Sequence, residues 1–338
     1  MKVHVGLIGG GNISETHARA CCAIPGVTIA AIYGTNILRV ERLASEHGGK
    51  AYEDFGEFLD HRPMDLVVIG SPSGLHASQG VAAARRGLHI LTEKPIDIST
   101  SRADELIEAT RSAGVKLGVL FQDRCKKDIR RLKQWIDQGV LGRILLVDAA
   151  VKWYRPPGYY SQSKWRGTLA LDGGGVLINQ AVHTLDLMLW LIGDVARVQA
   201  RTSTVLHAIE AEDTAIVSLE FTSGAFGTLL ATTAAYPGDP RRVEITGTEG
   251  TITLEQDRIV RVNLRNAQQG IHASVPPQDL ENTSSPVVSD FSGHQAVLED
   301  FIRAIQQEGT PLCDGHEGRR SIALVEQIYR AAKENARG

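Results

Sequence analysis

A lysine stands just past an apolar run in Leu91-Thr92-Glu93-Lys94-Pro95, and a histidine, His183, sits inside a largely apolar segment. An ammonium offers three donors to an oxygen that is gaining charge, and an imidazole takes up and returns a proton near neutrality. Acting on one hydroxyl, such a pair could remove its proton while holding the developing alkoxide. Asn179, His183 and Asp186 are spaced by four and three, which predicts one polar stripe on a helix. Buried polar groups need partners, so a stripe of amide, imidazole and carboxylate facing a cleft would suit a hydroxylated ligand. Near the N-terminus, Gly9-Gly10-Gly11-Asn12-Ile13-Ser14 matches G-x-G-x-x-G with Ser14 in the third glycine place. Gly9 permits a tight turn and Gly11 a close backbone approach. Asn12 and Ile13 open a helix whose N-terminus favours a pyrophosphate.

These residues depend on elements that the sequence also marks. Val3–Ile8, Val27–Ile32, Leu66–Ile69, His89–Leu91 and Lys116–Phe121 read as short buried strands, alternating with helical stretches such as Ile13–Ala23, Leu75–Arg86 and Ala103–Ser112. That alternation predicts right-handed βαβ crossovers and a doubly wound parallel sheet, with ligands gathered beyond the strands' carboxyl ends. Lys94 and Glu93 then fall where cofactor and substrate both have access. After residue 121 a charged helix, Lys126–Gln138, is followed by strands with period-two character, among them Thr214–Phe221 and Ala225–Ala234. The expected architecture is α/β: an N-terminal Rossmann domain, 1–121, and a C-terminal α+β domain, 122–338, with an open, mainly antiparallel sheet. The stretch from Asn266 to Ser292 reads as a long loop or arm, and two helices close the chain.

Composition narrows the function. Hydrophobic residues make up 43% and charged residues 22%, and a net charge of −3 gives no basic surface for nucleic acid. The Val176–Ile192 run is broken by Asn179, Gln180, His183 and Asp186, which argues against a membrane span. The four cysteines show no zinc spacing, so no metal is expected, and a reduced, cytoplasmic setting fits them. An antiparallel sheet with one apolar face needs cover, which predicts a homodimer or homotetramer.

The second strand ends Ile32-Tyr33-Gly34-Thr35-Asn36, with Gly34 where an NAD site usually carries an acidic residue for the ribose. Thr35, Asn36 and Arg39 suit a 2′-phosphate, so NADP is weakly preferred over NAD. The bland alternative is that Asn36 caps a helix. Gln122 and Arg124 follow the strand ending at Phe121, and Arg124 suits a carboxylate or phosphate, or else an ion pair. Tyr154-Arg155-Pro156-Pro157-Gly158-Tyr159-Tyr160 and Lys164-Trp165-Arg166 form an aromatic, basic loop. Tyr154, Trp165 and Arg166 in it could cover a sugar ring or an anionic group, or pack at a subunit contact.

The glycine turn, Glu93-Lys94-Pro95, the Gly173-Gly174-Gly175 helix with Asn179 and His183, and the order of the two domains resemble the Gfo/Idh/MocA oxidoreductase family over nearly the whole chain. The resemblance implies oxidation or reduction of a secondary alcohol on a sugar, cyclitol or sugar derivative with NAD or NADP. It implies that Lys94 is the active-site lysine and His183 the active-site histidine. It also implies that the Ser71-Pro72-Ser73 loop, with His76, lies on the cofactor side. Many members carry Asp four residues before the histidine, whereas this chain has Asn179. Asparagine is no base, so the proton falls to His183 or Lys94. Asn-Gln-x-x-His resembles the branch of nucleotide-sugar 3-dehydrogenases. Four alternatives stand beside a sugar dehydrogenase. They are a nucleotide-sugar 3-dehydrogenase, a reductase running the other way, a glycoside-cleaving enzyme that uses tightly held cofactor for transient oxidation, and a dinucleotide-sensing binding protein.

Overall fold

The computed structural model describes residues 2–266, 270–274 and 290–335. In chain order, β1(Val3–Ile8), α1(Asn12–Ala23), β2(Val27–Tyr33), α2(Ile37–His47), β3(Lys50–Tyr52), α3(Phe55–Leu59), β4(Leu66–Ile69), α4(His76–Ala84), β5(His89–Glu93), α5(Thr100–Ala113) and β6(Leu117–Leu120) come first. Then follow α6(Lys127–Asp137), β7(Ile144–Lys152), α7(Gly158–Ser161), α8(Val182–Ile192) and the strands β8(Val195–Ser203), β9(Thr214–Phe221), β10(Phe226–Thr232), β11(Arg242–Gly247), β12(Gly250–Glu255) and β13(Arg258–Leu264). Helices α9(Ser292–Gln306) and α10(Gly315–Asn335) close the described chain. No helix among the described residues is long and apolar enough to cross a membrane.

Two compact units emerge, and neither is a single stretch of chain. The described residues 2–122 and 290–322 form one, and those from 123 to 274 and from 323 to 335 form the other. The sequence reading of 1–121 and 122–338 misses this return. Its cause is visible at β6, where Gly118 lies against Phe301 of α9 and Val119 N–H donates to the Cys313 carbonyl at 2.9 Å. A buried strand needs cover on both faces, and α9 with the start of α10 supplies it.

The sheet of the first unit runs β3-β2-β1-β4-β5-β6, and every pair is parallel. This is the doubly wound order, reversing between β1 and β4, so the turns after those two strands flank the switch point. β4 and β6 are buried at every position, as expected of strands covered on both faces. In the second unit the sheet runs β13-β12-β11-β7-β10-β9-β8, antiparallel except for β7 beside β10. Its strands alternate buried and exposed, so one face is core and the other is not. The uncovered face carries Leu146, Ile216 and Phe226, 53%, 60% and 59% exposed, with Phe226 opposite Leu146 in register. Most of the arm expected over Asn266–Ser292 lies outside the described residues.

Candidate active site

The turn after β1 has the conformation its glycines suggest. Gly9 has φ +130°, and a Cβ there would lie 2.8 Å from the Gly70 carbonyl, so the turns after β1 and β4 touch through bare backbone. A Cβ on Gly11 would meet nothing within 4 Å, which leaves open space above the start of α1. Gly11 caps α1 without a side-chain hydrogen bond, and the Ser14 hydroxyl is buried with no partner among the described residues. A helix start with uncapped N–H groups, open space and an unused hydroxyl fits a dinucleotide pyrophosphate. Asn12 and Ile13 begin that helix as expected.

Other cofactor-side candidates divide. Thr35 and Arg39 are exposed beyond β2. The Asn36 side chain accepts the Arg39 N–H at 3.2 Å and caps α2, the bland role foreseen for it. The Ser71 hydroxyl donates to Gln79 at 2.6 Å, and Pro72 leads into a short helical turn. His76 is buried, with Nδ1 2.8 Å from the Pro95 carbonyl and Nε2 2.9 Å from the Ser71 carbonyl. Its polar atoms therefore tie two loops together, and a direct cofactor contact is not what holds it.

The same bracing continues around Lys94. Glu93, 7% exposed at the end of β5, has Oε1 3.0 Å from His17 Nε2 and 3.5 Å from His294 Nε2. The His17 contact is close but not aligned as a hydrogen bond. The Lys94 N–H donates to the other carboxylate oxygen at 3.2 Å. Burial opposes the charge on Glu93, yet the two imidazoles overcome it and hold the carboxyl well below its usual range. Burial also pushes the His17 imidazole down, against the pull of Glu93. The charge of His294 adds to that lowering, so burial and not the carboxylate sets the direction for His17. On the far side, buried Asp97 accepts the Ala77 and Ile98 N–H groups at 2.8 and 2.7 Å. Lys94 thus lies between two anchored points, partly exposed itself. Glu93, expected to touch cofactor, spends its carboxylate on this brace.

In the second unit the glycine run leads into a π-helical turn, Leu177–Ala181, continued by α8. The regular stripe expected here assumed an α-helix throughout. From Gly174 to Leu189 only Asn179 and His183 are not buried, so these two share the accessible side. Asp186 is withdrawn from it. The turn is held by Glu212, whose carboxylate accepts the Gly175 N–H at 3.2 Å, the Leu177 N–H at 2.9 Å and the Tyr329 hydroxyl at 3.0 Å. A Cβ on Gly175 would lie 1.7 Å from the Glu212 carbonyl oxygen, so only glycine fits. Burial pushes the Glu212 carboxyl up to about 7, against these donors. The Asn179 amide nitrogen donates to both oxygens of buried Asp172, at 2.9 and 3.1 Å, which directs its carbonyl end away from Asp172.

Asp123, unmarked in the sequence reading, is the residue that most alters the picture of His183. Its Oδ2 lies 3.8 Å from His183 Nδ1 and 2.8 Å from Arg241, and its Oδ1 lies 2.9 Å from Lys126. Asp257 contacts both Lys126 and Arg241. Burial opposes the Asp123 charge, but Arg241, Lys126 and His183 outweigh it and hold the carboxyl well below its usual range. A fixed carboxylate beside an imidazole stabilises the imidazolium that forms when the ring takes a proton. The signal was faint: one Asp in Gln122-Asp123-Arg124, just after a strand, with its cationic partner 118 residues away at Arg241.

Arg124 was expected to meet substrate, and the structure gives its guanidinium to Asp186 instead. Nε and Nη2 donate to the two carboxylate oxygens at 2.9 and 2.7 Å, with both side chains 1% exposed. A two-pronged pair buried this far is structural. Gln122 has a buried Oε1 with no hydrogen-bond partner among the described residues. Tyr154 packs edge-on to Tyr236, while Trp165 and Tyr159 both lie against the Arg166 guanidinium, at 5.5 and 4.2 Å.

Residues 3–121 match the model of an oxidoreductase family with an NAD-binding Rossmann fold, and residues 129–253 match the GFO/IDH/MocA C-terminal domain. Myo-inositol 2-dehydrogenase of Thermotoga maritima is 25% identical, covering 95% of this chain and 94% of its own. The 1,5-anhydro-D-fructose reductase of Ensifer adhaerens is 28% identical, with 97% and 95% covered. Among solved structures, the WlbA dehydrogenase of Bordetella pertussis, in complex with NADH and UDP-GlcNAcA, superposes with a TM-score of 0.89 at 30% identity, covering 99% of this chain and 98% of its own.

Proposed function

The chain belongs to the Gfo/Idh/MocA oxidoreductase family, and from that premise we propose that Lys94 and His183 carry its reaction at a secondary ring hydroxyl of a sugar, cyclitol or sugar derivative. The protein is an NAD(P)-dependent oxidoreductase acting on CH–OH groups of such compounds. The observation that carries the assignment is that Asn179 and His183 are the two residues from Gly174 to Leu189 that are not buried, with Asp123 fixed behind the imidazole.

The bound dinucleotide supplies a nicotinamide that accepts a hydride. Gly9, Gly11, Asn12 and Ile13 would hold its pyrophosphate, and the Ser71–Pro72 turn flanks the same switch point. His183 takes the hydroxyl proton, and Asp123 stabilises the resulting imidazolium. Lys94 donates to the oxygen as its charge grows. Asn179, oriented by Asp172, accepts from a neighbouring hydroxyl. Lys94→Ala and His183→Ala should each lower turnover by at least ~100-fold, the usual range for a positioned acid or base. Near-normal turnover in either variant would refute its role.

Finer choices belong to the same proposal. Exposed Thr35 and Arg39, with no acidic residue at Gly34, support a weak preference for NADP; a dissociation constant at least tenfold tighter for NAD would reverse it. The apolar residues Leu146, Ile216 and Phe226 support a homodimer or homotetramer formed through the open sheet, to be checked by sedimentation across concentration. A cytoplasmic setting goes with this reading. The Asn-Gln-x-x-His variant and the likeness to WlbA favour a nucleotide-sugar substrate as the second reading. A substrate panel followed at 340 nm with each cofactor tests both.

A further inference from the structure

Behind His183, four charged side chains close a circuit. Asp123 Oδ2 lies 2.8 Å from Arg241 Nη1, and its Oδ1 lies 2.9 Å from Lys126 Nζ. Asp257 meets the same two cations from the other side, with Oδ2 2.5 Å from Lys126 and Oδ1 against Arg241 Nη2. Two carboxylates and two cations alternate, so the circuit is electrically neutral. The side chains of Asp123, Arg241 and Asp257 are 7%, 7% and 12% exposed, which leaves their charges weakly screened. Lys126, 39% exposed, is the open corner.

Asp257 reaches this position at a conformational cost. With Gln256 it forms the two-residue loop between β12 and β13, where Glu255 pairs with Arg258. Gln256 has φ +44° and Asp257 φ +66°, the left-handed region that so tight a loop demands and that glycine fills best. Residues held there need support from their surroundings. The Gln256 N–H donates to the Arg241 carbonyl at 2.8 Å, and Asp128 of α6 accepts the Ile259 N–H at 3.0 Å and lies 3.3 Å from Arg258. The chain thus places a carboxylate where loop geometry favours a residue with none.

The use of that carboxylate follows from what faces His183. Its Nδ1 is 3.8 Å from Asp123 Oδ2, the same oxygen that Arg241 holds. Were Asp257 uncharged, Asp123 would stand before two cations, and the net positive group behind the imidazole would oppose a proton on it. Other charges near this helix are already closed or distant. Asp186 is paired with Arg124, neutral Asn179 has Asp172 behind it, and β7 beside α8 contributes buried Val147, Ala149 and Val151.

We propose that Asp257 is a positioning residue for the reaction: by holding Lys126 and Arg241 it balances the charge around Asp123 and so fixes the readiness of His183 to take the substrate's proton. This rests on the reading of His183 as the base. Lys126 has the opposite effect, because its loss leaves the circuit net negative.

The imidazole itself reports the outcome, with no substrate needed. The full chain is labelled with carbon-13 at histidine Cε1, His183→Gln identifies the signal, and its chemical shift is followed by NMR as pH is raised. Asp257→Asn should lower the titration midpoint by about 0.3 unit or more, and Lys126→Gln should raise it by as much. Asp257→Gly, which suits the left-handed loop, should lower it as Asp257→Asn does and serves if that variant fails to fold. The double variant Asp257→Asn with Lys126→Gln is neutral again and should return to the wild-type midpoint. Lys126→Arg keeps the charge and should not move it. A purely structural role would shift both single variants in one direction and add in the double. Shifts of one sign, unmoved midpoints or a double variant that fails to return therefore overturn the proposal. On any substrate turned over at 340 nm, the acidic limb of kcat/KM should follow the midpoint. A limb that stays while the midpoint moves counts against His183 as the base, and an unmoved midpoint counts against this proposal alone.

Discussion

Replacing Glu212 by Gln tests how the start of the helix that carries His183 is held. The carboxylate accepts two backbone N–H groups and the Tyr329 hydroxyl, yet burial pushes it up to about 7 from an ordinary 4.5. A raised acid favours the neutral form in the folded state. The folded protein therefore keeps a proton between pH 4.5 and about 7 that the unfolded chain has lost. Stability from this group is fully present below 4.5 and is lost as pH rises through 7. At 1.36 kcal/mol per unit the loss is about 3 kcal/mol. Tyr329, itself pushed well above its usual value by burial and by Glu212, and Asp172 nearby are the other titratable groups facing the site. Glutamine cannot ionise, so it removes the slope. Its amide nitrogen, however, must face Gly175 N–H or turn to Tyr329, which costs about 1–3 kcal/mol at every pH. Urea denaturation of both proteins at pH 5, 6, 7 and 8 reads the difference. The variant should be the less stable at pH 5 and gain about 2.5 kcal/mol on wild type by pH 8. A difference that stays flat across that range would refute the reasoning, because the three donors would then outweigh burial and keep the carboxyl ionised throughout.

Arg124→Met should destabilise by about 3–5 kcal/mol, since Asp186 would be left as an unpaired buried charge. Adding Asp186→Leu should recover most of the loss, and thermal melts of the single and double variants check both. Glu93→Gln should lower kcat by up to ~100-fold with little change in NADH affinity, because the brace from His17 and His294 to the Lys94 N–H is weakened while the glycine turn is untouched. Steady-state kinetics beside an NADH titration separates these; parallel loss of both would show a general collapse of the turn region instead.

Much of the first unit was legible because its signals are local. Glycines at fixed offsets after Val3–Ile8, and buried β-branched runs alternating with helical stretches, depend on neighbours within a few residues. They led to the doubly wound sheet and to the position of Lys94. What stayed hidden depends on partners far along the chain. Glu93 looks like one more polar residue beside a lysine until His17 and His294, 76 and 201 residues away, are seen against it. Arg124 looked like a ligand for an anion because the anion it holds, Asp186, had been assigned to a stripe facing a cleft. The stripe itself was read at α-helical spacing, and the π-helical turn at Leu177–Ala181 changes the phase between the glycines and His183.

The charged residues of this protein sort by whether their counter-charge is internal, and that sorting carries functional weight. Asp186, Asp123 and Asp257 each have a cation within the second unit, and Glu93 has two imidazoles within the first. Charges satisfied in this way are fixed in place before any ligand arrives, which is what preorganised catalysis requires of the groups behind Lys94 and His183.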